Sequence, residues 1–167
     1  MIWDSSLWKR DIAKRVESLN RRARQERWTG ASCTKVEQDL FLAGYAVRKL
    51  LDAGKISDEV ESGSILAIAY PRRTSTIDVL NWHKIDELYD IDAQTDVCLA
   101  LREFCNQIIH SFVFVLARSE TGGLEGFFLA SDREKDRRLL FISLAQVTKT
   151  LGRVANDAIV SMSWARS

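Results

Sequence analysis

The chain has 167 residues, of which 46% are hydrophobic and 28% charged, with a formal net charge of only +1. Its length and apolar content fit one domain, residues 1–167, with a substantial core. The near-zero net charge excludes a global pull towards nucleic acid or membrane, so a charged partner has to be read from a local patch.

Asp4 and Ser5 are good N-caps, and behind them Trp8, Ile12, Val16, Leu19 and Ala23 recur at helical spacing. This N-terminus has no apolar core followed by a small-residue cleavage site, so no signal peptide is expected. The other face of the helix is basic: over the first 28 residues eight Lys and Arg stand against four Asp and Glu. That is either a solvated helix face or a groove in which Arg15, Arg21, Arg22 and Arg24 guide RNA phosphates or an acidic partner. Thr29-Gly30 is expected to break this helix. A second is predicted from about Thr34, which with Glu37 has capping-box spacing. Val36, Leu40, Ala43, Val47, Leu50 and Leu51 form its buried stripe, and Gly54 its C-cap. The short loop between two long helices predicts an antiparallel pair.

The run SILAIAYP, ending at Pro71, predicts a strand. Ile85, Leu88 and Tyr89 then suggest a short helix, with Trp82 and His83 at its entry. A third long helix is predicted from about Asp92 to His110, on the spacing of Val97, Leu101, Phe104 and Ile108. SFVFVLARS, GLEGFFLAS and RRLLFISL, separated by turn-rich ETGG and DREKD, predict a three-stranded antiparallel meander. A final helix is predicted from about Leu144 to Ser161 on Val147, Leu151, Val154 and Ile159, with Trp164 in the tail. The expected class is α+β and helix-dominated: an antiparallel bundle of about four long helices, with a small three-stranded meander before the last one.

Most chemical signatures are missing. ETGGLEG lacks the lysine and following helix of a phosphate loop, and no nucleophile elbow is present. Cys33, Cys98 and Cys105 lack zinc-site spacing and read as small core residues, so no cofactor is expected. An odd number of cysteines without a signal peptide points to reduced thiols in a cytoplasm. No apolar run approaches the ~20 residues of a membrane span. Asp86, Glu87, Asp90, Asp92 and Asp96, with His83, leave room for a metal-dependent enzyme; the plainer reading is a solvated N-terminal turn that favours the helix dipole.

One stretch, LREFCNQIIH, carries a chemical clue. Arg102, Asn106 and His110 are four apart, on one stripe beside the apolar one. A cation, an amide and an imidazole so placed can bind a phosphodiester, with Arg stabilising the anion and His acting as general acid or base. The same residues also fit a structural role, with His110 capping the helix and Arg102 paired with a surface acid.

CNQIIHS, preceded by LREF, resembles the final-helix signature of HEPN domains, Arg-Asn-x-Ile-x-His. Asn106, Ile108 and His110 match; Cys105 stands at the arginine position, and Arg102 is the nearest arginine. FLAGYAVRKLLDAGKISDEV also has the look of a HEPN-type bundle, and in outline the resemblance covers about residues 5–111. It implies an all-helical core that dimerises and brings two Arg/His sets together. It further implies metal-independent RNA cleavage, with His110 catalytic and Asn106 assisting. Cys105 and the meander depart from the family's pattern. Two functions stay open. One is an RNA-engaging protein, a ribonuclease of toxin or phage-defence type, using His110 as acid/base, Asn106 as orienting amide and Arg102 as phosphate contact. The other is a catalytically inactive module that dimerises or binds a protein partner, with any exposed member of Trp3, Trp8, Trp28, Trp82 and Trp164 as an anchor.

Overall fold

The computed structural model describes residues 2–73 and 75–158. Helix α1 (Ser5–Arg22) starts where expected, with the Asp4 carboxylate accepting the Ser6 N–H at 2.8 Å. Helix α2 (Gly30–Asp52) starts earlier than Thr34, because Thr29 and Ser32 form a reciprocal capping box in which each side chain accepts the other's backbone N–H. Thr29-Gly30 is therefore a helix start as well as a break. Gly54, at φ +62°, turns the chain out of α2. There follow α3 (Asp58–Glu61), β1 (Ser64–Pro71), α4 (Ile85–Leu88), β2 (Thr95–Ala100), α5 (Leu101–Ile109), β3 (Ser111–Arg118), β4 (Leu124–Ser131), β5 (Arg138–Ser143) and α6 (Leu144–Ala155).

The strands form one five-stranded antiparallel sheet in the order β2-β1-β5-β4-β3. Helices α5 and α6 lie against it, and α1 and α2 pack across them. Alternation along the strands divides the apolar residues between two faces. Ile65, Phe127, Leu129, Leu140 and Ile142 join Leu19, Leu40, Val47, Phe104 and Val147 in the main core under the helices. Tyr70, Val113, Ala130 and Leu139 point to the opposite face, where Ile77, Leu88 and Tyr89 from the long β1–β2 connection cover them.

This corrects the expected bundle with a small meander. The predicted meander is present as β3-β4-β5, but β5 continues into β1 and β1 into β2, so the sheet spans the whole domain. The difference lies in residues 92–110, where one long helix is expected and a strand followed by a short helix is found. Val97 to Leu101 is a continuous apolar run, which satisfies helical and extended periods alike. Pairing decides it: Ile65 lies opposite Leu99 and Ala67 opposite Val97, so β1 draws residues 95–100 into the sheet. Only 101–109 remain helical. The last helix closes at Ala155 with Asn156 as C-cap. Its predicted end at Ser161, with Ile159 and Trp164, lies outside the described residues. Among the described residues no helix is long and apolar enough to cross a membrane.

Gly44 fixes how closely α2 approaches α5. A Cβ built there would sit 2.9 Å from Ile108 Cγ2, and Ile108 is fully buried. Gly44→Val is therefore expected to destabilise the fold by about 2 kcal/mol, the usual scale of core overpacking, despite the gain in helix propensity. A lowered urea midpoint at unchanged slope would show it; an unchanged midpoint would mean the two helices are free to separate.

Candidate functional site

The predicted trio shares one cleft. Arg102 and Asn106 lie on α5 and His110 is its C-cap, with the His110 N–H donating to the Asn106 carbonyl at 3.1 Å. All three line a cavity of about 760 Å³, together with Arg48 from α2, Glu103 and Gln107 from α5, and Ser131 to Glu134 from the end of β4 and the turn behind it. Gln107 is buried, and its Oε1 accepts the Ser131 N–H at 3.0 Å. The Asp132 N–H donates to the His110 carbonyl at 2.9 Å. These two bonds fasten the helix end to the sheet where β3 and β4 shift register between Ser111 and Val113. Such irregularities re-aim the chain beside a site.

The imidazole of His110 is exposed and makes no hydrogen bond among the described residues. Arg102 is held by Asp52 at 2.6 Å, with Glu61 at 3.7 Å. The hydrogen bond from Arg102 holds the Asp52 carboxyl below the usual carboxylate range, helped by Arg48. Arg48 donates to Asp52 at 3.1 Å and to the side-chain oxygen of Asn106. This leaves the Asn106 amide group as the donor available to a ligand. Arg133 is exposed and forms no ion pair among the described residues. The carboxylates are engaged by cations outside the lining: Glu103 and Glu134 both take Arg138, at 3.0 and 2.9 Å, and Asp132 takes Lys135.

Arg48 was not legible as a site residue. It lies 58 positions before Asn106, and only the packing of α2 on α5 joins them. Cys105, at the arginine position of the resemblance, is fully buried in the main core. Burial pushes its thiol up to about 12, although Arg48 and Arg102 pull the other way. Cys98, by contrast, is exposed. A thiol reagent is expected to label Cys98 in the folded protein and Cys105 roughly a hundredfold more slowly or not at all. Mass spectrometry of partly labelled protein reads this, and equal rates would place Cys105 at the surface.

The other predicted residues lie elsewhere. Arg15 is occupied by Asp11 at 2.8 Å and Asp39 at 3.3 Å, and Arg22 bonds Gln25. Arg21 and Arg24 are exposed. No residue lining the cleft comes from α1. Among the described residues, no three His, Cys, Asp or Glu side chains come together as metal ligands, so Asp86 to Asp96 and His83 form no such set. Comparison with family models, curated proteins and solved structures finds no match for the chain.

Proposed function

We propose that the chain engages RNA through the Arg102/Asn106/His110 cleft and cleaves it without a metal ion. The observation that carries this reading is the gathering of an exposed imidazole, a free amide donor and three guanidiniums, from Arg48, Arg102 and Arg133, around one cavity. In such a site His110 takes the proton from a ribose 2′-hydroxyl as it attacks the phosphorus, or gives one to the departing 5′-oxygen. The guanidiniums stabilise charge on the non-bridging oxygens, and Asn106 orients the phosphate. Arg48 supplies from α2 the guanidinium that Cys105 does not supply from α5.

Charge around the cleft is nearly balanced, because Asp52 and Glu61 already face Arg48 and Arg102. The site therefore suits one or two phosphates of a single strand and not a long duplex track, and the salt dependence of binding should be shallow. Incubation of the protein with mixed RNA in EDTA, beside His110→Ala, tests the reading. The rival, a non-catalytic interaction module, would use a different surface: the outer edge of β3, with the half-exposed Trp28 and Trp82 beside it.

A further inference from the structure

Strand β3 closes one side of the sheet, and its outer edge has no strand partner among the described residues. Edges are usually defended by charge, proline or shortness. The opposite edge, β2, has six residues, including an exposed Asp96. Strand β3 has eight residues, SFVFVLAR, six of them apolar in sequence from Phe112 to Ala117, and its only charge is Arg118 at the end.

A groove follows this edge. One part, of about 560 Å³, is walled by Phe41 on the helical side and by Trp82 on the other, with Phe112 and Phe114 on the strand. It shares Leu116 and Arg118 with a second part of about 510 Å³ that reaches Trp28. Unpaired backbone N–H and C=O groups flanked by aromatic walls fit another extended strand.

We propose that this edge is a self-association surface, on which β3 of a second copy pairs antiparallel with β3 of the first. The charges at the two ends of the strand favour a copy over an unrelated peptide. Arg118 stacks on Trp28, with its guanidinium 5.7 Å from the ring centre, and has no carboxylate partner among the described residues. At the other end, Asp132 sits against His110, and its side chain is 69% exposed, with only Lys135 on it. Full antiparallel overlap of residues 111–118 brings each Arg118 to the Ser111 end of the other copy, within reach of that Asp132, twice by symmetry. The two Arg118 side chains lie about 24 Å apart at ~3.4 Å per residue, well beyond the screening length. The same overlap holds the two His110 residues roughly 30 Å apart, so each cleft keeps its own imidazole while Asp132 at its rim takes the other copy's Arg118.

Sedimentation of the full chain tests this. Wild type is expected at twice the 19.0 kDa of one chain at tens of micromolar. Val115→Lys, on the edge, is expected to sediment as a monomer with unchanged circular dichroism. Should that variant not fold, charge exchange decides: Arg118→Asp and Asp132→Arg should each weaken association about tenfold, and together restore it. A monomeric wild type overturns the proposal and leaves the groove to another protein's strand. A dimer indifferent to these substitutions, or a double variant no better than the singles, overturns it in favour of another face.

Discussion

His110→Ala is expected to lower metal-free RNA cleavage by about a hundredfold or more, the usual contribution of a positioned general acid or base, while leaving the melting temperature unchanged. The second half follows from the geometry. The imidazole is exposed and makes no hydrogen bond among the described residues, and the structural duties of residue 110 fall on its backbone, which caps α5 and accepts the Asp132 N–H. An alanine keeps both. Arg48→Ala should also lose cleavage, and because its guanidinium stabilises charge developing on the phosphate, its defect, like that of His110→Ala, should persist at saturating RNA. If wild type cuts nothing in EDTA, the ribonuclease reading fails. If His110→Ala cuts as well as wild type, the chemistry belongs to another group.

The parts of the fold legible in the sequence were those whose signal is local. Asp4 caps α1 as its side chain suggests, and SILAIAYP and the three runs after His110 are strands because β-rich segments there end in turn residues. The failures were non-local. Residues 95–100 fit a helical stripe, and only their partner strand, about thirty positions earlier, shows them to be extended. Helix α2 starts earlier than the expected Thr34 because Thr29, expected only to break the helix before it, caps α2 with Ser32 as its reciprocal partner. The site divides the same way. Arg102, Asn106 and His110 were found together because one helix spaces them. Arg48 and Arg133 reach the cleft through tertiary packing and a strand-end turn, and no spacing rule reports either. The helix-one arginines show the converse: a run of cations looks available in sequence, yet Arg15 is spent on Asp11 and on Asp39, a buried carboxylate from the neighbouring helix.

The largest stability effect is expected at Asp157, just beyond α6. Its carboxylate accepts the Ser57 N–H at 2.9 Å and the Ser57 hydroxyl at 2.6 Å. Lys9 donates to its Oδ2 at 3.1 Å and to its backbone carbonyl at 2.6 Å. The two charged side chains are only 9% and 4% exposed. This cluster ties the second turn of α1, the start of α3 and the end of α6 together. Asp157→Ala leaves a buried ammonium with only a carbonyl and two Ser57 donors without an acceptor. Breaking a buried pair from one side costs roughly 3 kcal/mol or more, and a chemical melt would show that loss. The same group sets an acid limb. Burial pushes the Asp157 carboxyl up, but the Ser57 hydrogen bonds, the Lys9 hydrogen bond and the Lys9 charge together outweigh it and hold the carboxyl below the usual range. A carboxyl depressed on folding binds fewer protons folded than unfolded. Its contribution is therefore complete above the unfolded value, about 4, and is lost as pH falls through the lower folded value. Asp157→Asn cannot titrate there, so below about pH 4 its stability should fall less steeply than that of wild type. Parallel acid limbs for the two proteins would show that the Lys9 pair does not couple charge to folding.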